Sequence, residues 1–242
     1  MMRNRLLEII ACLLLCIGAN NCLGQNIEAL VARLEALARQ GNAEAQYHLG
    51  MFASNGIAAS PNPKAAFEWF SKSAAAGNPL GAYKLGCYFA GQFSGVVPSD
   101  RIKALEYKLI AAKAGYSLAQ YDAGIAYYEL GRYKEALEWW EKAAQQGYPM
   151  ALYHLSVAYR HGEVTAQNKI RAYAYFKLAK LLTEQTVNPR AQQNLDATRR
   201  IMSAKEYADA EALVANWKSQ PTEITRKASQ GIEAAQLLTD SR

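Results

Sequence analysis

The chain has 242 residues, of which 51% are apolar and 20% charged, and a formal net charge of +6. That length and apolar share suffice for one or two domains with a buried core and exclude wholesale disorder. The basic residues are scattered without an arginine-rich run, so the electrostatic footprint of a nucleic-acid binder is missing and the charge reads as general solubility.

Arg3 and Arg5 precede an apolar run from Ile9 to Ile17, followed by small and polar residues through Gly24. This is the pattern of a secretory signal peptide over residues 1–24, with Cys22 and Gly24 at the small-residue positions before a cut and Gln25 first in the mature chain. A retained membrane anchor is the alternative, but the run falls short of the ~20 apolar residues that span a bilayer. Membrane contact is therefore expected only through the signal peptide during export. The mature chain keeps 25 basic and 20 acidic side chains and a single cysteine, Cys87, which reads as a small apolar packing residue.

From Asn26 to Arg39, Ile27, Leu30, Leu34 and Leu37 recur at three- and four-residue steps on one helical face, which predicts an amino-terminal capping helix within residues 25–40. From Gly41 the chain repeats itself. GNAEAQYHLG at Gly41, GNPLGAYKLG at Gly77, GYSLAQYDAG at Gly115 and GYPMALYHLS at Gly147 start 36, 38 and 32 residues apart. Such periods belong to helical hairpins that stack into a solenoid. In each first helix Ala45, Gly81, Ala119 and Ala151 are followed four residues later by Leu49, Leu85, Ala123 and Leu155, and then by Ala53, Phe89, Tyr127 and Tyr159. These rows share a face and predict the stripe that packs on the partner helix. Gly50, Gly86 and Gly124 recur beside it. Glycine within a helix costs about 1 kcal/mol relative to alanine, so its repetition implies a close approach of two helix axes.

The connections within the units vary from the short ELGRY to the extended SNGIAASPNP, AGQFSGVVPSD and HGEVTAQN. Asn62 before Pro63, Ser99 or Asp100, and Asn168 are predicted to cap the second helices. Those helices carry Ala66, Ala104, Ala136 and Ala172, then Trp69, Tyr107, Trp139 and Tyr175, and then Ala74, Ala112 and Ala144. Small and large residues alternate at matched offsets, as in interlocking helix packing. Beyond Phe176 the glycine is lost at Thr183. Asn188-Pro189 and Ser203-Ala204-Lys205-Glu206, the second a capping box, open two further helices, so residues 183–218 are predicted to cap the array. Residues 219–242 form a tail with little apolar periodicity, for which little order is predicted.

The units AEAQYHLG with KAAFEWFSKSAAAG, LGAYKLGCYFAG with KALEYKLIAAKAG, and LAQYDAGIAYYELG with EALEWWEKAAQQG resemble Sel1-like repeats, relatives of the tetratricopeptide repeat. The likeness covers roughly Gly41 to Lys180 and places four such repeats over residues 41–182. It implies an all-α fold, a right-handed superhelical solenoid of antiparallel helix pairs, used as a protein-binding scaffold and in bacteria often exported to the envelope or beyond. Some exported members tie each unit with a disulfide, for which this chain lacks the cysteines.

The mature chain has no phosphate loop ending in Gly-Lys-Ser/Thr, no dinucleotide glycine fingerprint, no HExxH, no GxSxG and no CxxC. Neither catalytic nor metal-binding residues are assigned, and no cofactor is expected. His48 and His154 share one repeat offset with Lys84 and Asp122. A position that takes histidine, lysine and aspartate alike reads as solvated surface rather than as a metal ligand. His161 and Glu163 merely flank a glycine in a connection.

One row stands apart from the core stripe. Tyr47, Tyr83, Tyr121 and Tyr153 each lie six residues after a repeat glycine, followed four later by Met51, Cys87, Ile125 and Val157. At 100° per residue the row points roughly 160° away from Leu49 and its equivalents. Two readings are open. Neighbouring repeats bury both sides of the helix, or, by resemblance to tetratricopeptide arrays, the row lines a concave groove in which tyrosines anchor an extended partner. In the second reading Tyr128, Arg160 and His161 extend the row near the third and fourth units.

The leading functional expectation is a non-enzymatic repeat scaffold, periplasmic or secreted, that binds a protein or peptide through that face. The alternative is a structural or accessory factor in envelope assembly that contacts peptidoglycan or an exported polysaccharide.

Overall fold

The computed structural model describes residues 26–162, 164–183 and 189–240, so the signal peptide expected over residues 1–24 lies outside the described residues. Every regular element among the described residues is a helix: α1 (26–39), α2 (Ala43–Asn55), α3 (Pro63–Ala75), α4 (Pro79–Phe89), α5 (Arg101–Lys113), α6 (Ser117–Glu129), α7 (Tyr133–Gln145), α8 (Pro149–His161), α9 (Lys169–Leu182), α10 (Pro189–Arg200), α11 (Ala204–Asn216), α12 (Glu223–Gln230) and α13 (Ile232–Asp240). The all-helical expectation holds. The described residues fall into two compact units, one within Met1–Ser99 with Gln230–Arg242 and the other within Asp100–Ser229.

The repeat glycines end one hairpin and open the next by the same device. Gly41, Gly77, Gly115 and Gly147 have φ of +86°, +86°, +97° and +85°, a left-handed conformation that glycine adopts without strain. The residue that follows each donates its N–H back to the preceding helix: Asn42 to Leu37 O at 3.1 Å, Asn78 to Ser73 O at 2.9 Å, Tyr116 to Ala111 O at 3.0 Å and Tyr148 to Ala143 O at 3.1 Å. These bonds satisfy carbonyls that a helix end otherwise leaves unpaired.

In the first unit, Leu30, Leu34 and Leu37 of α1 pack with Leu49 and Phe52 of α2 and with Ala235 of α13. Phe70 of α3 is fully buried against Gly50, where a Cβ would stand 2.6 Å from the ring. The close approach expected at the repeated glycine is therefore between a glycine and an aromatic ring. Asn42, Asn62 and Asn78 cap α2, α3 and α4 through their side-chain oxygens.

In the second unit Trp140 holds the place of Phe70. It is buried among Ala143, Leu152, Leu155 and Ala172, with Gly124 beneath it. The large core residues of the second helices are thus Phe70 and Trp140, one position after the expected Trp69 and Trp139. Those two indoles are half-buried and carry cations instead, with Lys72 Nζ 4.4 Å above Trp69 and Lys142 Nζ 4.2 Å above Trp139. Asp100, rather than Ser99, caps α5 by accepting from Ile102 N and Lys103 N at 3.1 and 3.0 Å. Asn168 caps α9, and Ser203 with Glu206 forms the expected capping box on α11.

α10 and α11 close the far side of α9, where Tyr173, Phe176, Leu195, Met202 and Ala210 share a core. The stretch beyond Pro221, for which the sequence predicts little order, contains α12 and α13. In α13, Ala234, Ala235 and Leu238 recur at a helical step, and Ala235 and Leu238 face α1 and α2. This short apolar stripe is too small to register as periodicity in the sequence.

Candidate functional site

The tyrosine row does not have one environment. Tyr47 and Tyr83 are only 7% and 6% exposed. Tyr47 packs on His48 and Phe70, and burial pushes its phenol up to about 12. In the second unit the row emerges. Tyr121 and Tyr153 are half-buried, and Tyr128 is 43% exposed at the end of α6.

The exposure of Tyr128 follows from the short turn of the third repeat. Glu129 to Arg132 close the hairpin tightly around Gly131, so no long connection folds back over the end of α6. Leu130, at 62% exposure, and Tyr133 are left at the surface beside it. Arg132 spans the tip. It pairs with Glu135 at 2.6 Å and places its guanidinium 4.6 Å above Tyr127.

An aromatic series runs from the core to this tip. The Tyr148 and Tyr121 rings lie 5.0 Å apart, and Tyr121 Oη is 3.3 Å from His154 Nε2. His154 stacks on Trp140 at 4.9 Å, Trp140 lies 5.7 Å from Tyr128, and Tyr128 lies 5.3 Å from Tyr133. Such separations suit offset and edge-on aromatic packing. Burial raises the Tyr121 phenol and, with Asp122 and Tyr121 adding to it, pushes Tyr148 up to about 12. Burial also holds the His154 imidazole below its ordinary value. At neutral pH Tyr121, Tyr148 and His154 are therefore uncharged. Lys108 and Asp122, paired at 2.6 Å, flank it.

His154 and His48 differ from the solvated surface expected at their offset. His48 is buried and His154 is half-buried, because the offset abuts the aromatic core of each unit: Tyr47 lies beside His48, and Trp140 with Tyr121 beside His154. Tyr153 turns its ring edge-on to Phe176 at 5.8 Å. Arg160 donates to Asn194 of α10, and His161 is exposed at the last turn of α8. The structure thus gathers Tyr121 and Tyr128 into one series, while Tyr153, Arg160 and His161 lie along α8. Sequence reasoning did not single out Tyr148, Trp140, Leu130 or Tyr133. Tyr148 stands at a cap position where the first two repeats have asparagine, and that substitution was the available signal.

Among the described residues no group of three or more His, Cys, Asp or Glu side chains converges, and no helix is long and apolar enough to cross a membrane.

Two solved bacterial structures share the fold. One, at 24% identity and a TM-score of 0.51, is c5321, a protective antigen present in uropathogenic Escherichia coli strains and displaying an SLR fold; the match covers 86% of this chain and 50% of that one. This chain therefore spans half the length of the antigen. The other is a Sel1 repeat protein from Oxalobacter formigenes, at 18% identity and a TM-score of 0.57, with 89% of this chain and 96% of that one covered. No curated protein matches the sequence. The Sel1 repeat itself matches four consecutive segments, residues 43–78, 79–116, 117–148 and 149–182. Together these make up more than half of the sequence, and the chain belongs to the Sel1 repeat family of helical scaffolds.

Proposed function

We propose that this chain is a non-catalytic scaffold, exported to the cell envelope as a periplasmic or secreted protein, that captures a protein or peptide partner along the aromatic row of α6 and α8. Sel1 repeat proteins generally mediate contacts between proteins and are generally non-catalytic, which supports the class. The leader-like pattern of residues 1–24 supports export. The observation that carries the site is the exposure of Tyr128, with the half-buried Tyr121 behind it, in a row whose first-unit members are buried. Partly exposed tyrosines beside Leu130 offer apolar contact area together with hydroxyl donors, the composition of a protein-binding hot spot. Tyr153, Arg160 and His161 extend the surface along α8. Tyr47 and Tyr83 are buried and form no part of the proposed surface.

The test is partner capture from the producing cells by the tagged mature chain, identified by mass spectrometry and repeated with Tyr128→Ser and Tyr121→Ala. Both variants are expected to lose the captured protein at unchanged helical circular dichroism. Capture that survives both would remove the row as the site. Retention on purified cell-wall material without any protein partner would favour an envelope-assembly role instead.

A further inference from the structure

In the second unit the chain from Ser219 into the first turn of α12 lies across the repeat turns. Ser219 Oγ donates to Gln146 O at 2.7 Å, and Gln220 N donates to Gln145 O at 2.9 Å. Thr222 Oγ1 donates to Gly115 O at 2.9 Å, and Thr225 Oγ1 to Gln146 Oε1 at 2.6 Å. Gln146 completes the ledge, its Nε2 donating to Gly115 O at 2.7 Å and to Gln120 Oε1 at 2.8 Å. The strap sits tightly: a Cβ on Gly115 would meet Thr222 at 3.1 Å, and one on Gly147 would meet Ser219 at 2.6 Å.

The first unit carries the same turn at Gly41 and Gly77, with matching left-handed φ. Gln46 stands at the offset of Gln120 and makes the equivalent bond, Nε2 to Ala38 O at 3.1 Å against Gln120 Nε2 to Ala112 O at 3.2 Å. The residue equivalent to Gln146 is Ala76, which has no amide to offer. Gln46 is 7% exposed, and its Oε1 is buried without a hydrogen-bond partner among the described residues. Nothing lies within 4 Å of a Cβ built on Gly41 or Gly77. An orphaned buried acceptor is costly, and its repeat counterpart is satisfied.

We propose that the Gly41–Gly77 ledge is a second docking site, distinct from the aromatic row, for a segment of a partner protein that enters a helical turn with two hydroxyl side chains three residues apart. The segment follows the chemistry of the strap, where Thr222 and Thr225 have that spacing at the start of α12 and their hydroxyls lie 3.1 Å apart. Gly41 O and Gln46 Oε1 are both acceptors, so the ledge selects hydroxyl and amide donors and disfavours carboxylates. A donor entering the space that the Gln146 side chain fills in the second unit satisfies Gln46 Oε1.

The test uses the full chain, labelled with nitrogen-15, and a synthetic peptide of the strap sequence KSQPTEITR. Saturable shifts are expected at the Gly41 and Gly77 amides and the Gln46 side-chain amide. They should vanish with a peptide carrying valine for both threonines, which keeps the shape of each side chain and removes both hydroxyl donors. Absence of shifts at Gly41 and Gln46 overturns the proposal, as does their persistence with the valine peptide. Shifts confined to Gly115 and Gly147 would mean exchange of the strap alone, and shifts that follow protein concentration without peptide would make a second copy the occupant; either overturns it too. Both peptides act on the unaltered chain, so misfolding of a variant cannot imitate a loss of binding.

Discussion

Trp140 packs so closely on Gly124 that a Cβ on residue 124 would come within 2.3 Å of its Cδ1 and Nε1. Gly50 and Phe70 repeat the relationship in the first unit at 2.6 Å. In both places the absence of a side chain on the first helix admits a large ring from the second.

Gly124→Ala is therefore expected to destabilise the protein although alanine is the better helix former. The propensity gain is about 1 kcal/mol, while forcing a buried indole aside costs about 1 to 3 kcal/mol. Trp140→Ala should cost about 3 to 5 kcal/mol, and the half-buried Trp139→Ala distinctly less. Urea unfolding followed by circular dichroism checks all three. Equal losses at 139 and 140 would contradict the assignment of the core position.

His154 makes the second unit sensitive to mild acid. Burial holds its imidazole below the ordinary 6.5, so above that value both folded and unfolded forms are neutral and stability is fully present. As the pH falls below 6.5 the unfolded chain takes up the proton first, and stability declines until the folded ring also titrates. The urea midpoint should fall over this range. In His154→Phe the decline should be shallower, since the ring that stacks on Trp140 no longer titrates.

Glu211 ties α11 to α9 by accepting from Lys177 Nζ at 2.6 and 2.7 Å and from Tyr173 Oη at 3.2 Å. The Lys177 hydrogen bond holds its carboxyl below the usual 4.5. That contribution is present above 4.5 and is lost as the pH falls through the folded value. Glu211→Gln should weaken the docking of α11 by on the order of 1 kcal/mol or less, because the pair is partly screened by solvent. Faster amide exchange in α11, with little change in α2 and α3, is the expected readout.

Asn78 accepts from Leu80 N and Gly81 N at 2.9 and 3.0 Å and so closes the open amino end of α4. Asn78→Ala should cost about 1 kcal/mol in thermal or urea unfolding. The third and fourth repeats place Tyr116 and Tyr148 at the same position without a side-chain cap, so Tyr148→Asn should restore the cap while removing the ring that packs on Tyr121.

The array was legible because its period, its glycine turns and its small-residue rows all recur, and each recurrence reflects a local rule that holds in every copy. Ala45, Ala119 and Ala151 are fully buried, and Asn62, Asn168 and Ser203 cap as their neighbours imply. Phe70 and Trp140 were misplaced by one residue because WF and WW present adjacent aromatic rings, and only the notch at the facing glycine selects between them. The candidate site was less legible. Tyr47 and Tyr121 share an offset but not an environment, since exposure depends on what the rest of the fold lays over each helix. The strap was invisible for a related reason: Ser219, Thr222 and Thr225 reach carbonyls more than 70 residues away, and hydroxyl-bearing residues in an aperiodic stretch carry no sign of such a target.

The helix Ile232–Asp240 rests on α1 and α2, with Ala235 in their core and Arg33 bridged to Asp240 at 3.0 Å. During synthesis the amino-terminal half leaves the ribosome long before this helix exists. The helices α1 and α2 must then wait with an unfilled apolar seam until this helix has been made, a window in which a chaperone or export factor has something to hold.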